Sequence, residues 1–125
     1  MKVSSALRPL PTLALVIGIC LSACQGSPPP IGRNLPRGSW DDVSRAFNAR
    51  VQSRFPIGSS EADMLADLRR EQFKTVAHDE SVPRYQFSAV RDLPGLPCRL
   101  FWTIQWNASE NNIVEIAGTH SGICL

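Results

Sequence analysis

The sequence contains few of the residues and patterns on which enzyme chemistry depends. Its two histidines, His78 and His120, each stand apart from any visible nucleophile partner. It has no glycine-rich phosphate-binding loop, no HExxH motif and no cysteine cluster at metal-ligand spacing. These absences disfavour a hydrolase, a nucleotide-dependent enzyme and a zinc enzyme. We therefore expect a non-enzymatic protein without a cofactor or a bound metal.

An apolar run long enough to cross a bilayer is also missing. The longest apolar stretch, from Leu10 to Leu21, falls well short of the ~20 residues that a transmembrane helix needs. Lys2 and Arg8 precede it without an acidic residue, and this order of basic and apolar segments is typical of a signal peptide. We predict a signal peptide over residues 1–23.

The end of this segment carries a more specific pattern. Leu21-Ser22-Ala23-Cys24 resembles the lipobox of bacterial lipoprotein precursors. The resemblance implies a diacylglycerol on the Cys24 thiol, cleavage before Cys24, and acylation of the new amino terminus by a fatty acid such as palmitate. Two or three acyl chains anchor a protein stably, whereas one does so only marginally. Gln25 stands where lipoproteins of the inner membrane often carry aspartate, so the resemblance implies the outer membrane, with the domain facing the periplasm.

Residues 24–38 hold the lipidation candidate and a segment rich in proline and glycine. From Gln25 to Gly38 the chain has four prolines and three glycines, a composition that favours an extended, solvated backbone. We predict a disordered linker that reaches up to about 40 Å from the membrane, at ~3.1 Å per residue. A proline-rich recognition ligand is the weaker alternative.

Residues 39–125 are sufficient for one small domain. Without Lys2 and Arg8, which belong to the predicted signal peptide, the 13 basic residues of the chain fall to 11 and balance its 11 acidic residues. No basic stretch is interleaved with aromatic residues. The sequence therefore does not favour nucleic acid as a partner.

The four cysteines leave one pair for the folded domain. Cys20 lies in the predicted signal peptide and Cys24 is the lipidation candidate, so Cys98 and Cys124 are predicted to form a disulfide in an oxidising periplasm. Closing a loop of ~26 residues contributes about 3.5 kcal/mol in the chain-entropy description. A metal site that includes His120 is the alternative, but it has no identifiable fourth ligand.

Two helices are predicted at the start of the domain. Ser39 precedes two aspartates, as at a helix N-terminus, and apolar residues then recur at helical spacing to about Ser53. Ser60 and Asp63 have the spacing of a capping box and begin a second helix.

The rest of the domain alternates between apolar and polar residues, as strands do. We predict strands over residues 73–77, 84–90, 98–106 and 113–119, with a polar connection over residues 107–112. The complete prediction is an α+β fold, in which two N-terminal helices pack on a three- to four-stranded antiparallel sheet, preceded by a signal peptide and a disordered linker.

Four apolar residues are candidates for partner binding: Leu93, Leu96, Phe101 and Trp106. Leu93 and Leu96 share a Pro-Gly loop that does not favour burial of both side chains. On the strongest predicted strand, Phe101 lies on the face opposite to Trp102 and Trp106. Trp102 is interpreted as a core residue, whereas Trp106 is open to two interpretations, a core residue or part of an exposed binding face.

The stretch Phe55-Pro56-Ile57-Gly58-Ser59-Ser60-Glu61, leading into Leu65 and Leu68, resembles small lipoproteins with the β-lactamase-inhibitor-protein-like fold. Among these are the SmpA/OmlA-type subunits of the outer-membrane β-barrel assembly machine. They share a lipobox, a flexible leader, two helices and an antiparallel sheet. This chain departs from them because Arg70-Glu71-Gln72-Phe73 replaces a Gly-x-Pro after the second helix, and because it adds a cysteine pair.

The leading functional hypothesis is a non-catalytic, lipid-anchored envelope protein that acts through protein–protein interaction in outer-membrane assembly or maintenance. The alternative is a periplasmic inhibitor or immunity protein that blocks a toxin or an enzyme, which the inhibitor-like fold alone does not establish. A small-ligand or peptidoglycan-binding module is a third, weaker hypothesis.

Overall fold

The computed structural model describes residues 26–76 and 84–125, so the predicted signal peptide, Cys24 and His78 lie outside the described residues. Two helices pack on one antiparallel sheet whose strand order follows the sequence, β1-β2-β3-β4. This architecture confirms the predicted α+β fold, with four strands in the sheet of the described residues. The elements are a 3-10 turn (Pro30–Gly32), α1 (Trp40–Arg54), α2 (Glu61–Arg70), β1 (Lys74–Val76), β2 (Phe87–Leu93), β3 (Cys98–Ser109) and β4 (Asn112–Cys124).

Both helices begin at the predicted capping residues. The Ser39 hydroxyl accepts a hydrogen bond from the Asp42 backbone N–H, and the Ser60 hydroxyl accepts one from the Asp63 N–H. Each bond satisfies a backbone donor that the first helical turn leaves without an intrahelical partner. The helix starts are therefore fixed by local sequence.

The β3–β4 hairpin is longer than the sequence predicts. Instead of a connection over residues 107–112, the two strands continue to a two-residue turn at Glu110 and Asn111. Both residues have positive φ angles, 52° and 66°, as hairpin turns matched to strand twist require. The strand register shifts between Asn107 and Ala108, where a bulge lets the pairing continue through polar residues.

The hydrophobic core lies between the helices and one face of the sheet. Helix α1 crosses β4 closely at Gly118, where an added Cβ would lie 2.7 Å from the Val51 side chain and 3.1 Å from the Phe47 ring. Any larger residue at position 118 would separate the helix from the strand. The buried apolar residues are Ile31, Phe47, Val51, Phe55, Met64, Leu68, Phe73, Ala89, Trp102, Ile104, Trp106, Ile113 and Ile116.

Polar side chains of α1 cover the free edge of β4. The Ser44 hydroxyl accepts from the His120 N–H at 3.0 Å, and the Asn48 side chain accepts from the Gly118 N–H at 2.9 Å. The Gln52 amide donates to the Ile116 carbonyl at 3.3 Å. Four helical residues rise ~6 Å and two strand residues ~6.8 Å, so side chains at i, i+4 and i+8 stay aligned with alternate strand residues. These three side chains form hydrogen bonds with backbone groups of an edge strand that would otherwise be open to pairing with another strand.

The N-terminal segment differs from the predicted linker. Ile31 is 2% exposed and belongs to the core, and Gly32 lies against the Trp102 indole, where an added Cβ would be 2.5 Å from Nε1. Leu35 also packs against the core. The prediction of a disordered linker up to residue 38 is therefore wrong for residues 29–35, because Pro29 is buried as well.

The physical reason is that this segment carries apolar residues and few backbone donors. Consecutive prolines have no N–H to satisfy, so they lie against a core at low cost in unmade hydrogen bonds. The Ile31 N–H donates to the buried Glu71 carboxylate at 2.7 Å, and the Arg50 guanidinium donates to the Ile31 carbonyl at 3.1 Å. Arg54 in turn pairs with Glu71 at 2.5 Å. Two charged side chains from α1 and one from the end of α2 thus hold the segment in place.

Candidate functional site

Leu93 and Leu96, two of the residues predicted to bind a partner, lie at the tip of the β2–β3 hairpin, but in different environments. Leu93 is the last residue of β2 and packs partly against the core, whereas Leu96 is 84% exposed in the connection. The connection between the strands predicted at residues 84–90 and 98–106 is therefore shorter than expected, because β2 extends to Leu93. A shallow groove of about 380 Å³ runs along this tip and is lined by Gly26, Leu93, Pro94, Gly95, Leu96, Cys98 and Leu100.

The Cys98–Cys124 disulfide closes the same end of the sheet. The two cysteines are direct partners in the β3–β4 register, with an S–S distance of 2.02 Å, which confirms the predicted pairing. Beyond it, the Leu125 N–H donates to the Pro97 carbonyl at 3.0 Å. The bond therefore joins the start of β3 to the end of β4 beneath the hairpin tip. We call this region, residues 93–100 with 122–125, the hairpin end.

Phe101 lies on the second face of the sheet, which neither described helix covers. It is half-buried, and the Arg99 guanidinium lies 5.8 Å from its ring centroid. Arg99 forms an ion pair with Asp92, and this hydrogen bond holds the pKa of the Asp92 carboxyl below its ordinary value. Because Asp92 and Ser121 flank Phe101 on the neighbouring strands, the ring sits within a polar surround. We call this surface, centred on Phe101 and Thr103, the open face.

Trp106 does not belong to a contact surface. It is 2% exposed, its indole N–H donates to the Glu61 carboxylate at 2.8 Å, and its ring stacks on Phe87 at 5.8 Å. The interpretation of Trp106 as a partner-binding residue is therefore wrong, and its alternative as a core residue holds. Its alternation with Trp102 along β3 was the signal, because both side chains point to the helix-covered face.

His120 is a packed core residue. Its ring lies between those of Trp40 and Trp102, at centroid distances of 5.4 and 4.8 Å, and its Nδ1 is 3.0 Å from the Phe101 carbonyl. Burial lowers its pKa, which favours the neutral ring. Across residues 26–76 and 84–125, no three histidine, cysteine or acidic side chains are grouped as metal ligands. The metal alternative for Cys124 does not apply, because its sulfur is in the disulfide.

Sequence reasoning missed the residues that hold the N-terminal segment, Glu71 above all. The available signal was an apolar pair, Ile31 and Leu35, set four residues apart within an otherwise polar and proline-rich stretch. It also missed the stripe of Ser44, Asn48 and Gln52, whose spacing of four places it on one side of α1.

Comparisons with known proteins add no identification. No protein-family model matches the chain, and neither curated proteins nor solved structures gave a significant match. Within the part of the chain that the structure describes, neither helix has the length and apolar character needed to span a membrane.

Proposed function

We propose that this protein is a lipid-anchored, non-catalytic envelope protein that binds another protein through the open face. The observation that carries the proposal is the asymmetry of the sheet: the helices cover one face, and the other presents Phe101 and Thr103 half-buried among polar neighbours. A flat surface with an aromatic residue at its centre and charged groups around it resembles a protein-binding interface more than a ligand pocket.

The anchor in this proposal is Cys24, on the strength of the lipobox-like Leu21-Ser22-Ala23-Cys24. The disulfide supports an oxidising compartment such as the periplasm, because structural disulfides persist in such compartments. Gln25 after the cysteine favours the outer membrane. The resemblance to SmpA/OmlA-type lipoproteins makes assembly or maintenance of that membrane the proposed process.

Two ion pairs lie on or beside the open face. Asp92 and Arg99 restrain one another beside Phe101, and Arg84 pairs with Glu115 at 2.5 Å across the sheet. An exposed ion pair contributes little to stability, but it fixes which charges a partner meets. We infer that these pairs select the partner while Phe101 supplies the buried contact.

The test is affinity purification of the lipidated protein from crosslinked native envelopes, with three variants in parallel. Phe101→Glu places a charge at the centre of the open face and should abolish recovery of the partner. Phe101→Tyr keeps the ring and should retain it. Ile57→Asp is the matched control, since Ile57 is 72% exposed in the α1–α2 connection, away from the open face.

The identity of the recovered protein then distinguishes the hypotheses. Components of the β-barrel assembly machinery, lost only in Phe101→Glu, would support the assembly role. A single stoichiometric toxin or periplasmic enzyme would instead make the protein an inhibitor. Equal recovery by all variants would refute the open face as the binding surface. Urea unfolding of each variant checks that the loss does not reflect an unfolded domain.

A further inference from the structure

The chain meets the hairpin end just after the lipidation candidate. Gly26 lies beside the Leu93 side chain, where an added β-carbon would be 2.4 Å from a Leu93 methyl group, and it lines the groove of the hairpin end. Cys24 is two residues earlier in the sequence. Only two peptide units therefore join the lipidation candidate to the described chain at Gly26. An acyl chain on Cys24 would therefore hold the hairpin end close to the bilayer.

The hairpin end also exposes apolar side chains that are not part of the hydrophobic core. Leu96 is 84% exposed, Ile123 65% and Leu125 98%. Their backbone segments lie together, because the Cys98–Cys124 bond and the hydrogen bond from Leu125 to Pro97 join them. The charged pair nearest to them, Asp92 with Arg99, is mutually neutralised. Because Asp92 and Arg99 pair with each other, neither would be left as an unpaired charge when this surface enters the headgroup region.

We propose that the hairpin end docks on the lipid surface, with the side chains of Leu96, Ile123 and Leu125 among the headgroups. This inference rests on the proposed acylation of Cys24. Docking holds the domain directly on the membrane instead of at the end of a linker about 40 Å long. The strands then rise away from the bilayer, and the open face stands to the side, accessible to a protein partner. Leu93 and Leu96, predicted as protein-binding residues, become parts of a lipid contact.

The experiment places the photoreactive residue p-benzoylphenylalanine at position 96, 123 or 57 of the full chain, one position at a time. The protein is irradiated in native membranes, purified and measured by intact mass spectrometry. Positions 96 and 123 should give phospholipid adducts, and position 57 should give none. Ile57 is the matched control because it is similarly exposed but lies at the other end of the sheet, where the neighbouring Gly58 N–H donates to the Ile113 carbonyl.

A second part of the experiment tests whether apolar contact, in addition to the nearby acyl anchor, keeps the hairpin end on the lipid surface. Leu96→Asp should abolish the lipid adduct formed at position 123, whereas Ile57→Asp should leave it unchanged. Protein adducts at positions 96 and 123, equal lipid adducts at 96 and 57, or no lipid adduct at 96 would each overturn the docking.

The same mass spectra separate this inference from the proposed function. Acyl chains on residue 24 combined with any of the contrary adduct patterns would overturn docking and leave the anchor standing. A purified protein without acyl chains on residue 24 would overturn the anchor, and the docking with it.

Discussion

Ile31→Ala provides the sharpest test of whether the N-terminal segment belongs to the domain. A disordered linker would tolerate this change without loss of stability, but Ile31 is 2% exposed and packs in the core. The substitution removes three carbon atoms, worth ~2.4 kcal/mol at ~0.8 kcal/mol per buried methylene. The cavity left behind adds to this, because surrounding side chains relax only partly, which gives about 3 kcal/mol in total.

The assay is urea unfolding of a protein that starts at residue 24, with Cys24→Ser to remove the lipid. Tryptophan fluorescence reports the transition, since the indole of Trp102 packs directly on Gly32. A loss of about 3 kcal/mol corresponds to a fall in the melting temperature of roughly 12–24 °C for a domain of this size. Arg37→Ala, an exposed change in the same segment, should stay within about 0.5 kcal/mol of the parent protein. If Ile31→Ala also stays within that range, the packing of the segment on the core is refuted.

Two further predictions concern the end of β4. Replacement of both Cys98 and Cys124 by alanine should lower the unfolding free energy by about 3.5 kcal/mol, and a reductant should lower the stability of the parent protein but not of the variant; equal urea midpoints would contradict this. Because burial lowers the pKa of His120 below its ordinary value of 6.5, the unfolded chain binds a proton at higher pH than the folded one, so stability should fall as pH drops below about 6.5. His120→Gln should flatten this part of the stability–pH curve, and an unchanged slope would contradict the assignment.

Local sequence was sufficient to predict the structure of a segment wherever that structure depends on residues close to one another in the chain. Ser39 and Ser60 satisfy donors three residues away, so both helix starts could be predicted. The alternation along β3 placed Trp102 and Phe101 on opposite faces, and the single available cysteine pair predicted the disulfide. These inferences depend on periodicity and on counting, which need no knowledge of what packs against the segment.

Average composition gave the wrong prediction for the N-terminal segment, where two apolar residues behave unlike their polar and proline-rich neighbours. The segment before the domain reads as a linker on average, yet Ile31 and Leu35 anchor it. Their packing against the core is supported by Glu71, 40 residues later, whose carboxylate accepts a hydrogen bond from the Ile31 N–H. No local pattern predicts this contact, because the two residues are 40 positions apart and come together only in the tertiary structure.

Short-range hydrogen bonding and side-chain periodicity were enough to predict the helix starts and the alternating strands, and the cysteine count was enough to predict the pairing of Cys98 with Cys124. Tertiary structure alone decided that Trp106 is buried against Glu61, that α1 covers the edge of β4, and that Gly26 meets Leu93. Those outcomes depend on which surfaces remain when the helices have packed on the sheet. Burial is a property of the assembled domain and not of a segment, and it separates the open face from the core.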